Sequence, residues 1–535
     1  MENHKIIELE KYYDENVWKH KTLDEYLEGK VEQYSKNIAV IDGDIEITYE
    51  ELSEEINNYA IEMQRDGIKE NDKVVIQLPN CLEFIFVIFA LFKIGAIPVL
   101  TLAKHRKIEI KGIIENSKAV AYIAKSNYLG FSYEEFINDI EAEIDFNLKK
   151  YILGPTQEKK NFYKLNRNDY VYQLEECLDK ARYKSMGLLL LSGGTTGVPK
   201  LIPRRHCDYI YVAEQCAKRC LFDENVKYLA TLPIAHNFPL GCPGIIGTFS
   251  VGGTVVICNI TSPDEMFPLI EERKVTHMAL VPSIAKLCIE FYKYDSDYDI
   301  NSLKMIQVGG ALLDLYTAKD IEDKFGCILQ QIYGIAEGLI CTTEATDSKE
   351  IIYETQGKPI SEYDEIKIVN EFGIEVDDGE FGELLVRGPY TIYNYYNARQ
   401  IGCVDEELYF MTGDKVCKKT NGRYKVVGRV KEMINKSGEK ILPIELESIL
   451  LEHSLVDEVK VIGLQDDVLG EKICVCLKSK EDISLHEVRT YLKTKGLAEF
   501  KLPDIIKKID EWPLTSFGKI DNKKLKVLIE LERGV

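Results

Sequence analysis

The chain has 535 residues, 45% of them hydrophobic, which is more than one compact core accommodates and predicts two or more domains. Its 67 basic against 88 acidic residues leave a net charge of -21, which would repel a polyphosphate backbone and argues against nucleic acid as a main partner. The 14 cysteines form no paired CxxC clusters, and Cys216 and Cys220 fall at helical spacing beside Tyr209, Val212 and Ala213, so they read as core thiols of a reducing compartment.

The N-terminal stretch MENHKIIELEKYYDENVW is acidic and mixed, without the basic, apolar, then small-residue order of a secretory leader. The apolar run Phe84 to Phe92 is cut by Lys93 and falls far short of the roughly 20 residues that a spanning helix needs. A cytoplasmic protein that does not span a membrane is expected.

From about residue 70 to 340, KVVIQL, AVAYIA, LLLLS, GTVVICN, HMALVP and MIQVG alternate with amphipathic stretches, which predicts α/β architecture with largely parallel sheets. A helix start is legible at Ser262, with Pro263 in the first turn and Glu265 placed to complete a capping box; Pro268 is expected to kink or shorten that helix. Beyond about residue 375 short strands and turns take over, with Asn421-Gly422 as a hairpin signal. A charged stretch near Gly428 then leads into an amphipathic helix, two strands (EVKVIGL and KICVCLKS) and a further helix (LHEVRTYLKTKG). The expected boundary lies near 428 to 431, giving a large N-terminal domain, 1–428, with a small β-rich subdomain, and a small α+β domain, 429–535. No internal repeat or low-complexity linker is visible, so a tight hinge must join them.

LSGGTTGVPK, residues 191 to 200, differs from the Walker A loop, because Pro199 precedes Lys200 and no Ser or Thr follows it. The run Ser192, Gly193, Gly194, Thr195, Thr196 and Gly197 nevertheless follows an apolar strand. Its glycines allow backbone N–H groups to approach an anion, its hydroxyls add donors, and Lys200 adds charge. An ordinary Gly/Thr turn would explain the tripeptide SGG; the whole decapeptide points to phosphate binding.

The decapeptide resembles the phosphate loop of the adenylate-forming superfamily, which includes acyl-CoA synthetases, luciferases and nonribosomal adenylation domains. Four further segments resemble that superfamily's motifs, in order: YGIAEG (Tyr333 to Gly338), TGD (Thr412 to Asp414), GRVKEMINKSGEKILPIELE and PLTSFGKID. The resemblance implies a large domain joined by a hinge to a mobile small one, and attack of a carboxylate on the α-phosphate of ATP with loss of pyrophosphate. It implies that Ser192 to Gly197 and Lys200 bind the departing phosphates, and that Glu337 binds Mg²⁺, a hard ion suited to a carboxylate plus phosphate oxygens. Tyr333 and Gly334, with Gly309, Gly310 and Ala311, would frame adenine; Asp414 would accept the ribose hydroxyls, with Arg429 as a further polar contact. Lys519 would sit between the acid and the α-phosphate, and Lys431 would be the hinge residue. Ser437-Gly438 departs from the usual Gly-Gly and puts the thioester half of the cycle in doubt. Taken singly, each of these residues also has a structural reading: a turn Asp414, a helix-start Glu337, a surface Lys519.

LPIAHNFPLGCPG, residues 232 to 244, resembles the aryl-acid adenylating enzymes that begin siderophore synthesis, as do VIQLPNCLEFIFVIFALFKIGAIPVLTLAKHR and KLIPRRHCDYIY. Amino-acid activating domains usually carry an aspartate where Asn237 stands, because an ammonium in a low-dielectric pocket needs an anion. His236, Asn237, Phe238, Cys242 and Ile340 would line the acid pocket, with Asn237 on a phenolic 2-hydroxyl. Cys242 and Ile340 stand where enzymes for 2,3-dihydroxybenzoate tend to have Ser and Val; a thiol is the weaker hydrogen-bonding group and Ile the larger side chain, which favours salicylate. If both are packing variants, other benzoates remain open. His206 and His277 read as structural. The resemblance further implies that the acyl group passes to the phosphopantetheine thiol of a separate aryl carrier protein. The alternatives are an acyl-CoA synthetase for another aromatic or aliphatic acid and a noncatalytic nucleotide-binding protein of the same fold.

Overall fold

The apolar run at Phe84 forms the helix Leu82–Ile94, in which every residue but Lys93 is buried, and Gly95 closes it in the left-handed conformation with φ 82°. A helix apolar on all sides belongs in a core or a membrane. Here it packs on the helices Leu23–Tyr34 and Tyr49–Arg65 and beside the strand Ile97–Leu100. Among the described residues no helix is long and apolar enough to cross a membrane.

The computed structural model describes residues 11–13, 17–154, 182–192, 199–295, 297–397, 403–436, 439–466, 469–515 and 520–532. The chain forms two compact units from interleaved segments: Met1–Ile352, Gly357–Glu365 and Val386–Phe410 in the first, Tyr353–Gln356, Ile366–Leu385 and Met411–Val535 in the second.

Among the described residues the first unit holds a 9-stranded and a 6-stranded sheet. In the larger sheet Ile328–Gly334, Met305–Gly309, His277–Leu280, Lys227–Ala230, Thr254–Ile257 and Ile38–Asp42 run parallel as neighbours in that order. Antiparallel strands close its two edges: Ile340–Thr342 then Lys358–Pro359 on one side, Ile45–Thr48 on the other. In the smaller sheet Met186–Leu191, Ile97–Leu100, Lys73–Gln77, Ala121–Lys125 and Lys149–Leu153 are parallel, and Leu201–Arg205 pairs antiparallel with the first of them. The near-continuous burial of these strands is what parallel sheets covered on both faces require. All six apolar runs expected to be strands are strands.

The second unit contains, from Met411 onward, the hairpin of the strands Phe410–Lys418 and Tyr424–Arg429, whose turn holds Gly422 at φ 74° as the Asn-Gly pair predicts. Its C-terminal part has the helix Pro443–Leu450, the antiparallel pair Val456–Asp466 and Gly470–Ser479, and the helix Leu485–Thr494. These are the elements expected there, around a core that includes Leu446, Val461, Ile473, Val475 and Leu492.

One local expectation is corrected. Ser262 does cap the helix Pro263–Arg273, but without a side-chain hydrogen bond, and Glu265 turns instead to the N–H groups of Asn259 (2.6 Å) and Ile260 (3.1 Å). Those donors lie in the loop leading into the helix, and Pro263 offers no N–H of its own. Pro268 stands inside the helix, which continues to Arg273.

The 13 cysteines among the described residues are unpaired and buried, as expected for core thiols. His206 is a buried acceptor for the Leu23 N–H, and burial depresses its pKa to about 3; His277 sits against the Thr276 hydroxyl and is depressed to about 4 for the same reason.

Candidate active site

The phosphate-loop candidate grows from the strand Met186–Leu191 and returns into Leu201–Arg205, its antiparallel neighbour. Ser192 and Lys200 close its neck: the Ser192 N–H donates to the Lys200 carbonyl at 2.9 Å, and the Lys200 N–H donates to Ser192 Oγ at 3.1 Å. The Ser192 oxygen thus spends one acceptor site on shaping the loop. Lys200 is exposed, with its Nζ 4.5 Å from the ring centre of Tyr395. Gly193 to Gly197 lie outside the described residues.

The segment Tyr333 to Ile340 is a sharp reversal between Ile328–Gly334 and Ile340–Thr342, with Gly334 opposite Ile340. The Gly338 N–H donates to the Ile335 carbonyl and the Ile335 N–H to the Leu339 carbonyl, both at 3.1 Å. Gly338 is packed so closely that an added methyl group would lie 2.8 Å from Thr391 Oγ1. The reversal is held from two sides. Arg204, fully buried and paired with Asp208 at 2.9 Å, donates to the Ala336 carbonyl at 3.3 Å. From the other side the Ile392 N–H donates to the Glu337 carbonyl at 2.8 Å, and the Tyr395 hydroxyl donates to Glu337 Oε1 at 2.9 Å. Arg204, Asp208, Tyr390 and Tyr395 were not expected as site residues, since an Arg and a Tyr among many carry no local pattern that marks them.

Tyr333 is half-buried and Gly334, Gly310 and Ala311 are exposed, so a planar base can approach this strand end. Gly310 has φ 83° and an added methyl group there would touch only Val281, at 3.4 Å. Gly309 is glycine for another reason: a methyl group would lie 2.4 Å from Ile332 Cγ2 and 3.4 Å from the Phe238 ring. Ile332 of the neighbouring strand and the Phe238 ring fill the space beside it.

Phe238 belongs to the short helix Asn237–Gly241, the candidate acid-binding segment, capped by the half-buried His236. Phe238, Cys242, Ile332 and Ile340 share one hydrophobic cluster with Cys216 and Tyr390. Asn237 Nδ2 donates to Cys242 Sγ at 3.3 Å, while Asn237 Oδ1 is buried and has no partner. A buried carbonyl left in this state costs about 1–3 kcal/mol until a donor arrives. Five of the expected residues, Asn237, Phe238, Cys242, Gly309 and Ile340, therefore meet around the ends of adjacent strands.

In the second unit Asp414 and Arg429 face each other across the hairpin, Arg429 Nε to Asp414 Oδ1 at 2.7 Å. Asp414 is buried and its N–H donates to Thr412 Oγ1 at 3.0 Å; Arg429 also reaches the Thr412 carbonyl at 3.2 Å. Arg429 thus orients the carboxylate as well as adding a polar contact. Lys431 lies in the 3-10 turn Val430–Glu432. Ser437, Gly438 and Lys519 lie outside the described residues; Leu514 and Ile520, flanking the last, form an antiparallel bridge.

Among the described residues no group of three or more His, Cys, Asp or Glu side chains is arranged to hold a metal by itself. A single half-buried carboxylate, Glu337, is a hard oxygen donor of the kind Mg²⁺ takes when nucleotide phosphates and water complete its six sites. The donor set fits a metal that arrives with ATP.

Parallel strand ends that carry a Tyr-Gly-x-x-Glu reversal beside the Asn237–Gly241 helix are the arrangement expected of an adenylate-forming enzyme. The AMP-binding enzyme family matches residues 27–396, and the AMP-binding enzyme C-terminal domain matches residues 445–519. The chain belongs to the AMP-binding enzyme family, in its aryl-acid-AMP ligase branch, and is an adenylating ligase. It is 38% identical over 523 residues to the 2,3-dihydroxybenzoate-AMP ligase of Bacillus subtilis (strain 168), covering 97% of this chain and 96% of that one. It is likewise 38% identical over 534 residues to pyochelin synthase PchD of Pseudomonas aeruginosa (strain UCBPP-PA14), covering 98% and 95%. The solved apo structure of Mycobacterium smegmatis MbtA superposes with a TM-score of 0.73 at 35% identity, covering 97% of each chain.

Proposed function

We propose that this protein is a cytoplasmic ligase that activates salicylate, with 2,3-dihydroxybenzoate as the next-best acid, and passes the acyl group to the phosphopantetheine thiol of a separate aryl carrier protein. The observation that supports this reading is the unpartnered Asn237 Oδ1, buried beside Cys242. With its amide N–H engaged by Cys242, Asn237 offers an acceptor, and a 2-hydroxyl is a donor of matching position. Cys242 and Ile340, both buried, narrow the pocket and supply only a thiol where a 3-hydroxyl would need a partner.

In the reaction a carboxylate oxygen of the acid attacks the α-phosphorus, the bond from that phosphorus to the bridging oxygen breaks, and pyrophosphate leaves with its electrons. Lys519 neutralises the charge that accumulates as two anions meet, and Ser192 to Gly197 with Lys200 hold the departing phosphates. Tyr333, Gly334, Gly309, Gly310 and Ala311 place the base, and Asp414, held by Arg429, takes the ribose hydroxyls. Glu337 would hold Mg²⁺, which supplies charge neutralisation on the phosphate oxygens. In the second half-reaction the carrier thiol, having lost its proton, attacks the acyl carbon and AMP leaves. Rotation of residues 429–535 about Lys431 exchanges Lys519 for the face that admits the thiol.

The test is ATP-pyrophosphate exchange with salicylate, 2,3-dihydroxybenzoate, benzoate, 4-hydroxybenzoate, a fatty acid and several amino acids. Exchange confined to 2-hydroxylated benzoates and abolished by Lys519→Ala is expected. Exchange with benzoate equal to that with salicylate would remove the role given to Asn237, and direct turnover with coenzyme A would replace the carrier protein as acceptor.

A further inference from the structure

We infer that Tyr395 is a positioning residue that sets both charged groups of the nucleotide end of the site, the Glu337 carboxylate and the Lys200 ammonium; this rests on the adenylation reading above. Its hydroxyl donates to Glu337 Oε1 at 2.9 Å, and its ring lies under Lys200 Nζ at 4.5 Å. One side chain therefore touches the carboxylate suited to a cation and the ammonium suited to a phosphate.

The side chain is itself fixed. The following residue, Tyr396, donates its N–H to the Leu201 carbonyl at 2.9 Å, next to Lys200, and forms an antiparallel bridge with Leu201. Three residues earlier Ile392 donates to the Glu337 carbonyl. The Tyr395 ring also meets Phe410 edge-on, with centroids 6.3 Å apart. Anchored by Tyr396 after it and by Ile392 three residues before it, the ring has little freedom, so its hydroxyl and face restrict two long side chains that would otherwise sample many rotamers. The neutral phenol orients the carboxylate without neutralising it, and the ring face holds the ammonium with its donors still available to an anion.

The two contacts separate by substitution. Tyr395→Phe removes the hydroxyl and keeps the ring; Tyr395→Leu removes both. Calorimetric titration of ATP in EDTA reads the Lys200 contact without turnover: affinity equal to wild type is expected for Tyr395→Phe, and about three-fold weaker binding for Tyr395→Leu. Titration of Mg²⁺ in the ATP-pyrophosphate exchange reads the Glu337 contact: half-saturation about five-fold higher is expected for Tyr395→Phe, with KM for the aryl acid and the thermal midpoint unchanged. Metal dependence of Tyr395→Phe equal to wild type, or a uniform fall in kcat with no shift in metal or nucleotide dependence, would overturn the assignment. Absence of exchange by the wild type with every acid would instead overturn the adenylation reading, and the calorimetric arm would still judge the Lys200 contact. Should Tyr395→Leu not fold, Tyr395→Phe decides the Glu337 contact, and the same calorimetric titration of Tyr395→Met, which removes the ring and keeps much of its bulk, decides the Lys200 contact.

Discussion

Asp364 gives the sharpest test of the energetics around the acid pocket. Asp364 is half-buried; its Oδ2 accepts from the Tyr390 hydroxyl at 2.5 Å, and its Oδ1 is buried without a partner. Burial pushes its pKa from the ordinary 3.8 up to about 8, so the native protein keeps this proton at neutral pH while the unfolded chain loses it. The native state therefore binds more protons between pH 3.8 and about 8, and stability falls as pH rises through that window. Asp364→Asn is isosteric and neutral at every pH, so it removes this slope. At 1.36 kcal/mol per pH unit the variant should gain roughly 3–4 kcal/mol on wild type between pH 5 and pH 8. Thermal melts at half-unit intervals from pH 5 to pH 9 would show the difference in midpoint, variant minus wild type, growing by several degrees and levelling off above pH 8. A difference independent of pH, or one that turns against the variant at pH 8, would refute the neutral carboxyl.

Three further outcomes follow from the contacts. Cys242→Ser should raise the preference for 2,3-dihydroxybenzoate over salicylate about ten-fold in kcat/KM, since a hydroxyl can pair with both Asn237 and a 3-hydroxyl; competing-substrate exchange assays measure it. Arg204→Met should cost about 3–5 kcal/mol by leaving the buried Asp208 without its cation, and adding Asp208→Asn should recover part of this in denaturant titrations, because the neutral amide still accepts from the Arg205 N–H. Gly309→Ala should cost about 1–3 kcal/mol in the same titrations and weaken aryl-acid binding, since the new methyl group displaces Ile332 and the Phe238 ring.

The parallel strands were legible because each is a short apolar run bounded by turn residues, and the Asn421-Gly422 hairpin because only a few dipeptides fit its turn. The loop, the reversal and the Asn237 segment could be singled out as candidates because the residues of each are contiguous. What local sequence could not reveal are the residues that hold those segments from far along the chain. Arg204 reaches Ala336 across 132 positions and Tyr395 reaches Glu337 across 58. The capping box at Ser262 failed for a different, local reason: Glu265 has the right spacing, but the loop just before the helix offers it other donors, the N–H groups of Asn259 and Ile260. Gly309 was legible as glycine, while its cause, the approach of Ile332 from the next strand, depends on register between strands distant in sequence.

The reversal from Tyr333 to Ile340 carries residues to which the proposed reaction gives two different tasks, Glu337 at the nucleotide and Ile340 at the acid, only three positions apart. One outside segment grips both: the Tyr390 hydroxyl lies 3.4 Å from the Ile340 N–H, Ile392 binds the Glu337 backbone, and Tyr395 binds its carboxylate. Tyr390 in turn donates its hydroxyl to Asp364 Oδ2. A substitution in the pocket that shifts Ile340 will therefore be felt at Glu337 through the rigid turn and its shared clamp. Packed segments shift as units, and the Gly338 contact with Thr391 leaves no slack between them. It follows that pocket variants such as Ile340→Val should change the metal dependence of exchange as well as the acid ranking, and that Asp364→Asn, which preserves the Tyr390 contact, should change neither.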